Sequence, residues 1–465
     1  MARKAYFVSL GCPKNQVDTE VMLGVVRGAG HALVDDPREA DTLVVNTCGF
    51  IQAAKEESIA TILELAEVKG GTNGKKPQLV VAGCLSQRYP DELAAEMPEV
   101  DHFLGSADML GLAKVLDGDA VRMGVTPFAA RGQGKAYLYD HDTPRELTGA
   151  RHTAYVKIAE GCDRPCGFCI IPKLRGSQRS RAIFSVVEEV AHLVADHGTR
   201  EVCLVAQDLT TYGSDLEPAA NLELLLDALC CIEGLAWIRL HYAYPTAVTD
   251  GLVRRIASEP KIATYLDVPM QHIDSDVLKR MRRGYGERQV RDLVTALRDP
   301  AKVGSAHVWL RTTMLFGHPG ETDTAFRRLY DFVEDGQIDH LGVFPWSRED
   351  GTPSALLPIR VPSRKAEERA AALMALQEGI RAKKHAALVG RTMSVIVDGV
   401  STESDLLLDG RHEGQAPGID GKVVLTDGTA TPGSIVSAVV TQAGAHDLVA
   451  SLDAEAAAQA LASSA

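Results

Sequence analysis

Along the first hundred residues, short apolar runs alternate with longer stretches of helical spacing. Ala5–Leu10 is the first run; Gly11-Cys12-Pro13 turns the chain, and a helix is predicted from about Asn15 to Arg27. Thr42–Asn46 is the second, followed by Thr47-Cys48-Gly49 and a helix through about Glu67. Gln78–Ala82 is the third, followed by Gly83-Cys84 and a helix from about Ser86. Strands alternating with helices predict parallel βαβ units. Gly70 to Lys76 reads as a loop on its glycines and polar residues.

Residues 131–152 are polar and rich in Gly and charge, and read as a linker. Beyond them the alternation resumes, with strands predicted at Ala154–Ala159, Glu201–Ala206, Trp237–His241, Tyr265–Val268, Val308–Leu315 and Leu341–Phe344. Six successive βα units predict an open, partial (β/α)6 version of the eight-unit barrel, with an open doubly wound sheet as the other candidate. A charged helix from about Ser363 to Ala387 closes this domain. Short strands with Gly-rich turns then predict a small antiparallel β-barrel of the oligonucleotide-fold (OB-like) kind. The fold class is therefore α/β. An N-terminal parallel domain spans 1–130, the linker 131–152, the barrel 153–388, the small barrel 389–448 and a tail 449–465, rich in Ala and Ser.

Over 465 residues, 45% hydrophobic and 24% charged is ordinary globular composition and excludes a disordered or collagen-like chain. The formal net charge of −13 lacks the electrostatic footprint of a general nucleic-acid binder and favours a basic partner. No apolar run approaches the roughly 18 residues of a membrane span, and the first residues do not read as a signal peptide, so no membrane association is expected and the protein is expected in the cytoplasm. In a reducing compartment, clustered cysteines point to metal ligation or catalysis rather than disulfides.

The nine cysteines divide into two constellations and a remainder. Cys162, Cys166 and Cys169 stand as C-x3-C-x2-C just after the first barrel strand, where barrel enzymes place catalytic loops. Three close thiolates suit a soft metal centre, and on a [4Fe–4S] cube they leave one iron open to an external ligand. Structural zinc is the alternative, but it wants a fourth ligand that the sequence does not offer nearby. Cys12, Cys48 and Cys84 each follow a predicted strand and precede a helix, at equal intervals of 36 residues. The carboxyl ends of parallel strands share one edge, so the three thiols should converge there, close to helix N-termini that favour anions. Three buried, inert cysteines are the alternative. Cys203, Cys230 and Cys231 lie in apolar patterns and read as core. Gln207, Asp208, His241, Tyr242, Gln271, His272 and Arg311 fall at predicted strand ends and would ring one mouth of the barrel.

These motifs resemble those of the radical S-adenosylmethionine enzymes. The preceding three-cysteine domain and the trailing small barrel, which resembles a TRAM domain, narrow the resemblance to the methylthiotransferases over about residues 4 to 445. SLGCPKN, NTCGFI, GCLSQRY and YVKIAEGCDRPCGFCIIPKLRGSQRSR look like the RimO type, which modifies an aspartate of the twelfth protein of the small ribosomal subunit. The tRNA adenosine type would typically show Gln in place of Pro13 and different residues after Cys48. His318, before Pro319, departs from the apolar or aromatic residue expected there.

The resemblance implies that Cys162, Cys166 and Cys169 hold a first [4Fe–4S] cluster, whose open iron chelates S-adenosyl-L-methionine. It implies that Phe168 lies by the adenine and that Gln207 and Arg311 also serve the cofactor. Reductive cleavage, driven by an electron donor such as flavodoxin or ferredoxin, would give a radical that takes hydrogen from the aspartate β-carbon. Cys12, Cys48 and Cys84 would hold an auxiliary [4Fe–4S] cluster carrying the sulfur that a second S-adenosylmethionine methylates. Independently of the resemblance, residues 391–448 carry three positive and eight negative side chains. Such a barrel should repel a phosphate backbone, which argues against tRNA, and attract a basic protein; ordinary solubility charge is the alternative.

Overall fold

Thr42–Thr47 and Gln78–Gly83 are strands with nearly every side chain buried, as expected where helices cover both faces of a sheet. Successive residues feed opposite cores: Leu43, Val45, Leu79 and Val81 pack on one side, Val44, Val80 and Ala82 on the other. The computed structural model describes residues 2–71, 76–118, 122–126, 138–358, 361–453 and 455. Its first sheet holds β1 (Lys4–Ser9), β2 (Ala32–Leu33), β3 (Thr42–Thr47), β4 (Gln78–Gly83), β5 (His102–Gly105) and β6 (Met123–Gly124). All pairs are parallel, in the order β2-β1-β3-β4-β5-β6. The order reverses between β1 and β3, and at such a switch point the crevice beyond the strand ends is the natural ligand site of an open α/β sheet.

The second domain begins with β7 (Thr153–Lys157), followed by a two-residue antiparallel pair, β8 (Ala159–Glu160) and β9 (Arg179–Ser180). Strands β10 (Glu201–Val205), β11 (Trp237–Leu240), β12 (Ile262–Asp267), β13 (Trp309–Phe316) and β14 (His340–Pro345) continue it. The sheet runs β7-β10-β11-β12-β13-β14, all parallel and without reversal. A doubly wound sheet would reverse, so the open barrel is the architecture. Amphipathic helices cover it: Ile183–His197 buries Val186, Val190 and Leu193, one stripe at helical spacing, and stops at Gly198 in the left-handed conformation.

The helix Ser363–Ala386 leads into β15 (Thr392–Val400), β16 (Leu408–His412), β17 (Val423–Leu425), β18 (Ile435–Ala443) and β19 (Leu448–Ser451). They close a barrel in the order β15-β16-β17-β19-β18. Its pairs are antiparallel except β17 with β19, which is parallel.

Five expectations differ from the structure. The described part of the linker, from 138 onward, is a clasp rather than a spacer. Tyr139 is buried, and Arg145 bridges Glu20 of the first domain to Glu189 of the second. The small barrel extends past 448, because β19 supplies its closing strand. Cys231 is exposed, because it caps the end of the helix Leu222–Cys230 rather than lying within its apolar stripe. The helix after β4 starts at Cys84 itself, and α-helix persists to Gly71 at the expected loop. Residues 72–75 of that loop, 131–137 of the linker and nearly all of the tail beyond 453 lie outside the described residues.

Candidate active site

Cys162, Cys166 and Cys169 occupy the loop between β8 and the short helix Ile171–Arg175. Backbone and cationic donors reach their sulfurs: Arg164 N donates to Cys162 Sγ at 3.4 Å, Ile171 N to Cys169 Sγ at 3.5 Å, and Arg283 Nη1 to Cys166 Sγ at 3.1 Å. The loop is pinned from three sides. Arg164 pairs with Asp208 at 2.6 Å and lies 3.8 Å from the centroid of the Tyr244 ring. Gly167 N donates to Met281 O at 2.7 Å, and Ser354 N donates to Gly167 O at 2.8 Å.

Cys12 is the N-cap of the helix Pro13–Gly28, with proline in its first turn. Cys48 follows β3, and Cys84 opens the helix after β4. The strand ends meet closely at two glycines of positive φ. A Cβ on Gly11 would stand 2.8 Å from Cys48 Cβ, and one on Gly83 would stand 2.4 Å from Asn46 Oδ1. The equal intervals thus place three thiols on one edge, at the switch point of the sheet. Burial pushes the Cys48 thiol up to about 12, with Cys84 nearby adding to the shift. Burial also raises Cys84, against the opposing pull of Arg175.

The two sets share one seam. Cys84 packs in a small apolar cluster with Leu174 and with Ile170, the residue after Cys169. Arg175 reaches from the barrel loop to Cys84 Sγ at 3.4 Å and to Asn15 Oδ1 at 3.3 Å. Ser106 Oγ donates to Leu174 O at 2.7 Å. Across the same seam, Glu349 pairs with Lys55 at 2.9 Å and with Arg88 at 2.7 Å.

Among the described residues, no group of three or more His, Cys, Asp or Glu side chains is drawn close enough to hold a single metal ion. A cube attaches each cysteine to a different iron and so spreads its thiolates wider than one ion would. Burial pushes Cys162 up to about 11, and burial with the neighbouring Cys166 pushes Cys169 up to about 12. A metal binding there would have to displace these protons. The donors on Cys162, Cys166, Cys169 and Cys84 fit an anionic cluster.

Sequence comparisons agree with this layout. Residues 4–105 match the uncharacterised family UPF0004, residues 156–333 the radical SAM superfamily, and residues 389–452 the TRAM domain. The ribosomal protein uS12 methylthiotransferase RimO of Sorangium cellulosum is 49% identical over 97% of this chain and 91% of its own. Its namesake in Geobacter sulfurreducens is 47% identical over 96% of this chain and 98% of its own. This chain belongs to the RimO family of radical S-adenosylmethionine methylthiotransferases.

Solved structures share the fold. TsrM of Kitasatospora setae, a radical S-adenosylmethionine methyltransferase with cobalamin and a [4Fe-4S] cluster bound, aligns with a TM-score of 0.54 at 15% identity, over 77% of this chain and 74% of that one. The cobalamin-dependent OxsB aligns at 0.50 and 13% identity, over 80% and 56%.

The residues expected at the barrel mouth divide. Phe168 is half-buried and packs against the barrel core. Gln207 follows β10, and its Nε2 is buried with no hydrogen-bond partner among the described residues. Tyr242 and Gln271 adopt positive φ of 66° and 69°, conformations rare for such residues and typical of functional strand ends. His272 turns inward and accepts from Asp274 N at 2.9 Å. Arg311 is committed elsewhere. It is the third residue of β13, and its guanidinium meets Asp420 of the small barrel at 2.6 Å. His318 is buried, with Nε2 2.8 Å from Ser354 Oγ. Through Ser354 it braces the Gly167 loop, a polar role that explains the departure from an apolar residue.

The charge of the small barrel is also largely internal. Asp420 serves Arg311, and Asp398 pairs with Arg411, which reaches Glu201 inside the larger barrel at 2.7 Å. Of the eight acids, Glu403 and Asp405 are exposed. Sequence reasoning missed Lys14, Arg175 and Arg283. A lone cation in a polar turn carries no local signal; only its burial beside a cysteine does.

Proposed function

We propose that this enzyme transfers a methylthio group to the β-carbon of an aspartate in ribosomal protein uS12, using two S-adenosylmethionine molecules and two [4Fe–4S] clusters. Cys162, Cys166 and Cys169 would hold one cluster, and Cys12, Cys48 and Cys84 the other. When bound, the clusters and S-adenosylmethionine supply the 5′-deoxyadenosyl radical and the methylated sulfur. The observation that carries the reading is the seam: Cys84 and Ile170, the residue after Cys169, share one small buried cluster, so the two cysteine sets meet at one domain boundary.

The chain's own groups have definable tasks there. Arg283 and the amides of Arg164 and Ile171 neutralise the first thiolates and orient their loop. Phe168 and Gln207 would flank S-adenosylmethionine, to which the buried Gln207 Nε2 could donate. Arg175 balances the second set while staying paired with Asp18 and Glu160. The small barrel packs against the larger one, Arg239 donating to the Glu413 carbonyl and Arg411 pairing with Glu201. A one-electron donor of the flavodoxin or ferredoxin kind would act from outside.

The reading is tested by incubating reduced, reconstituted enzyme with S-adenosylmethionine and uS12. A mass gain of one methylthio group on an aspartate supports it. No gain on uS12, with gain on tRNA instead, overturns it.

A further inference from the structure

Lys14 lies in the first turn of the helix Pro13–Gly28 and is 6% exposed. Its ammonium stands 3.6 Å from the centroid of the Tyr242 ring and donates to the Ala206 carbonyl at 3.4 Å. Among the described residues, no carboxylate forms an ion pair with it within 4.0 Å. The contrast with its neighbours is plain. Lys157 and Arg175, equally buried, both share Asp18 and Glu160, and Arg145 has Glu20 and Glu189. Burial lowers the pKa of Lys14 and Arg175 adds to that, while Cys12, Glu160 and Asp267 favour its charge without forming an ion pair with it; a buried cation is costly unless an anion reaches it, so the open place beside its ammonium suits an anionic ligand.

Its position says which ligand. Lys14 follows Cys12 by two residues, yet its side chain crosses the seam to the ends of β10 and β11, where Ala206 and Tyr242 stand. It therefore lies between the auxiliary cysteines and the barrel mouth. Tyr242 is fixed beneath it: the backbone takes a φ of 66°, and Tyr242 N donates to Asp267 Oδ2 at 3.3 Å. An aromatic face under an ammonium holds the cation without neutralising it, leaving its charge for an incoming acceptor. The auxiliary set already has its own cation, Arg175, on Cys84.

We infer that Lys14, held against the face of Tyr242, binds the side-chain carboxylate of the substrate aspartate and so places its β-carbon between the two cysteine sets. The inference rests on the protein-aspartate reading above. It makes Lys14 a specificity residue: an asparagine at the target position would leave the ammonium without an anion.

The test uses the reconstituted, anaerobic holoenzyme with fluorescently labelled uS12 carrying either Asp or Asn at the target position. Wild-type enzyme should bind the Asp form about tenfold tighter or more, the scale of a buried charge-assisted contact. Lys14→Met should weaken the Asp form to the level of the Asn form, with KM for uS12 rising more than kcat falls. Lys14→Arg should restore part of the preference. Equal binding of the two forms by wild-type enzyme overturns the inference without any variant. So does a Lys14→Met enzyme that keeps the preference while the paramagnetic signal of the auxiliary cluster changes, since Lys14 would then serve the cluster alone. If wild-type enzyme modifies no uS12 at all, it is the proposed function that fails; with modification intact and no preference, only the Lys14 assignment fails.

Discussion

Replacing Arg175 with Met should unfasten the two cysteine-bearing domains from each other. Arg175 Nη1 lies 2.9 Å from Asp18 Oδ2 and 2.9 Å from Glu160 Oε2, and Lys157 pairs with the same two carboxylates. Asp18 belongs to the N-terminal domain, the other three to the barrel, and all four side chains are nearly inaccessible. Two cations balance two anions; Arg175→Met leaves one buried negative charge unpaired. Breaking a buried pair from one side costs about 3–5 kcal/mol. Burial opposes the charge on Glu160, but Arg175 and Lys157 hold it at about 2. A depressed carboxyl contributes stability above its unfolded value and loses it as pH falls toward the folded one. The deficit of the variant should therefore be full at pH 7 and narrow as pH falls below about 4. Urea titrations of the apoprotein at several pH values, followed by circular dichroism and tryptophan emission, measure it. Arg175→Met with Glu160→Gln should recover most of the loss, because the pair rather than either member sets the cost. A single variant within about 0.5 kcal/mol of wild type, or strictly additive effects, would refute the reasoning.

Other consequences follow from the same contacts. Asp420 accepts from Arg311 at 2.6 Å and from the Tyr265 hydroxyl at 2.8 Å, so Asp420→Ala should cost about 3–5 kcal/mol and expose the small barrel to proteolysis; digestion at the wild-type rate would contradict this. Burial raises Asp267 to about 6, with Asp420 adding to the shift and Arg311 opposing it. Its favourable contribution is present below the unfolded value near 4 and lost as pH rises through 6. Asp267→Asn should therefore gain stability relative to wild type between pH 5 and 8, by up to about 3 kcal/mol; a difference independent of pH in urea titrations would count against it. Arg283→Met removes the cationic donor to Cys166 Sγ and should lower the reduction potential of the cluster proposed there, read by a redox titration monitored by electron paramagnetic resonance; an unchanged potential would place Arg283 outside that cluster's surroundings.

The sequence makes the long buried elements legible and hides the short ones. β3 and β4 stand out as apolar runs because both faces are buried, and β10, β11 and β12 of the larger barrel stand out for the same reason. β2, β5 and β6 are short and lack a comparable run, so nothing in the pattern announces them. The polar segment 138–152 reads as a spacer because its meaning is tertiary: Arg145 looks solvated until Glu20 and Glu189 arrive from 125 and 44 residues away. The same holds for Arg311, whose partner lies 109 residues further on. The cysteines are different. Their spacing tracks the βα repeat itself, so parallel topology alone brings three strand-end thiols to one edge. Lys14 and Arg175 stay hidden, because burial of a cation beside a thiol is a property of the assembled seam.

Two separate cysteine sets, meeting at one domain seam, are proposed to hold one iron–sulfur cube each. Iron and sulfide analysis of anaerobically reconstituted protein, paired with S-adenosylmethionine cleavage, tests this most directly. Wild-type protein should hold about eight irons per chain, and each triple Cys→Ala variant about four. The variant lacking Cys162, Cys166 and Cys169 should form no 5′-deoxyadenosine, whereas the one lacking Cys12, Cys48 and Cys84 should form it and transfer no sulfur. Cleavage that survives loss of the first set, or about four irons in wild-type protein, would contradict the account.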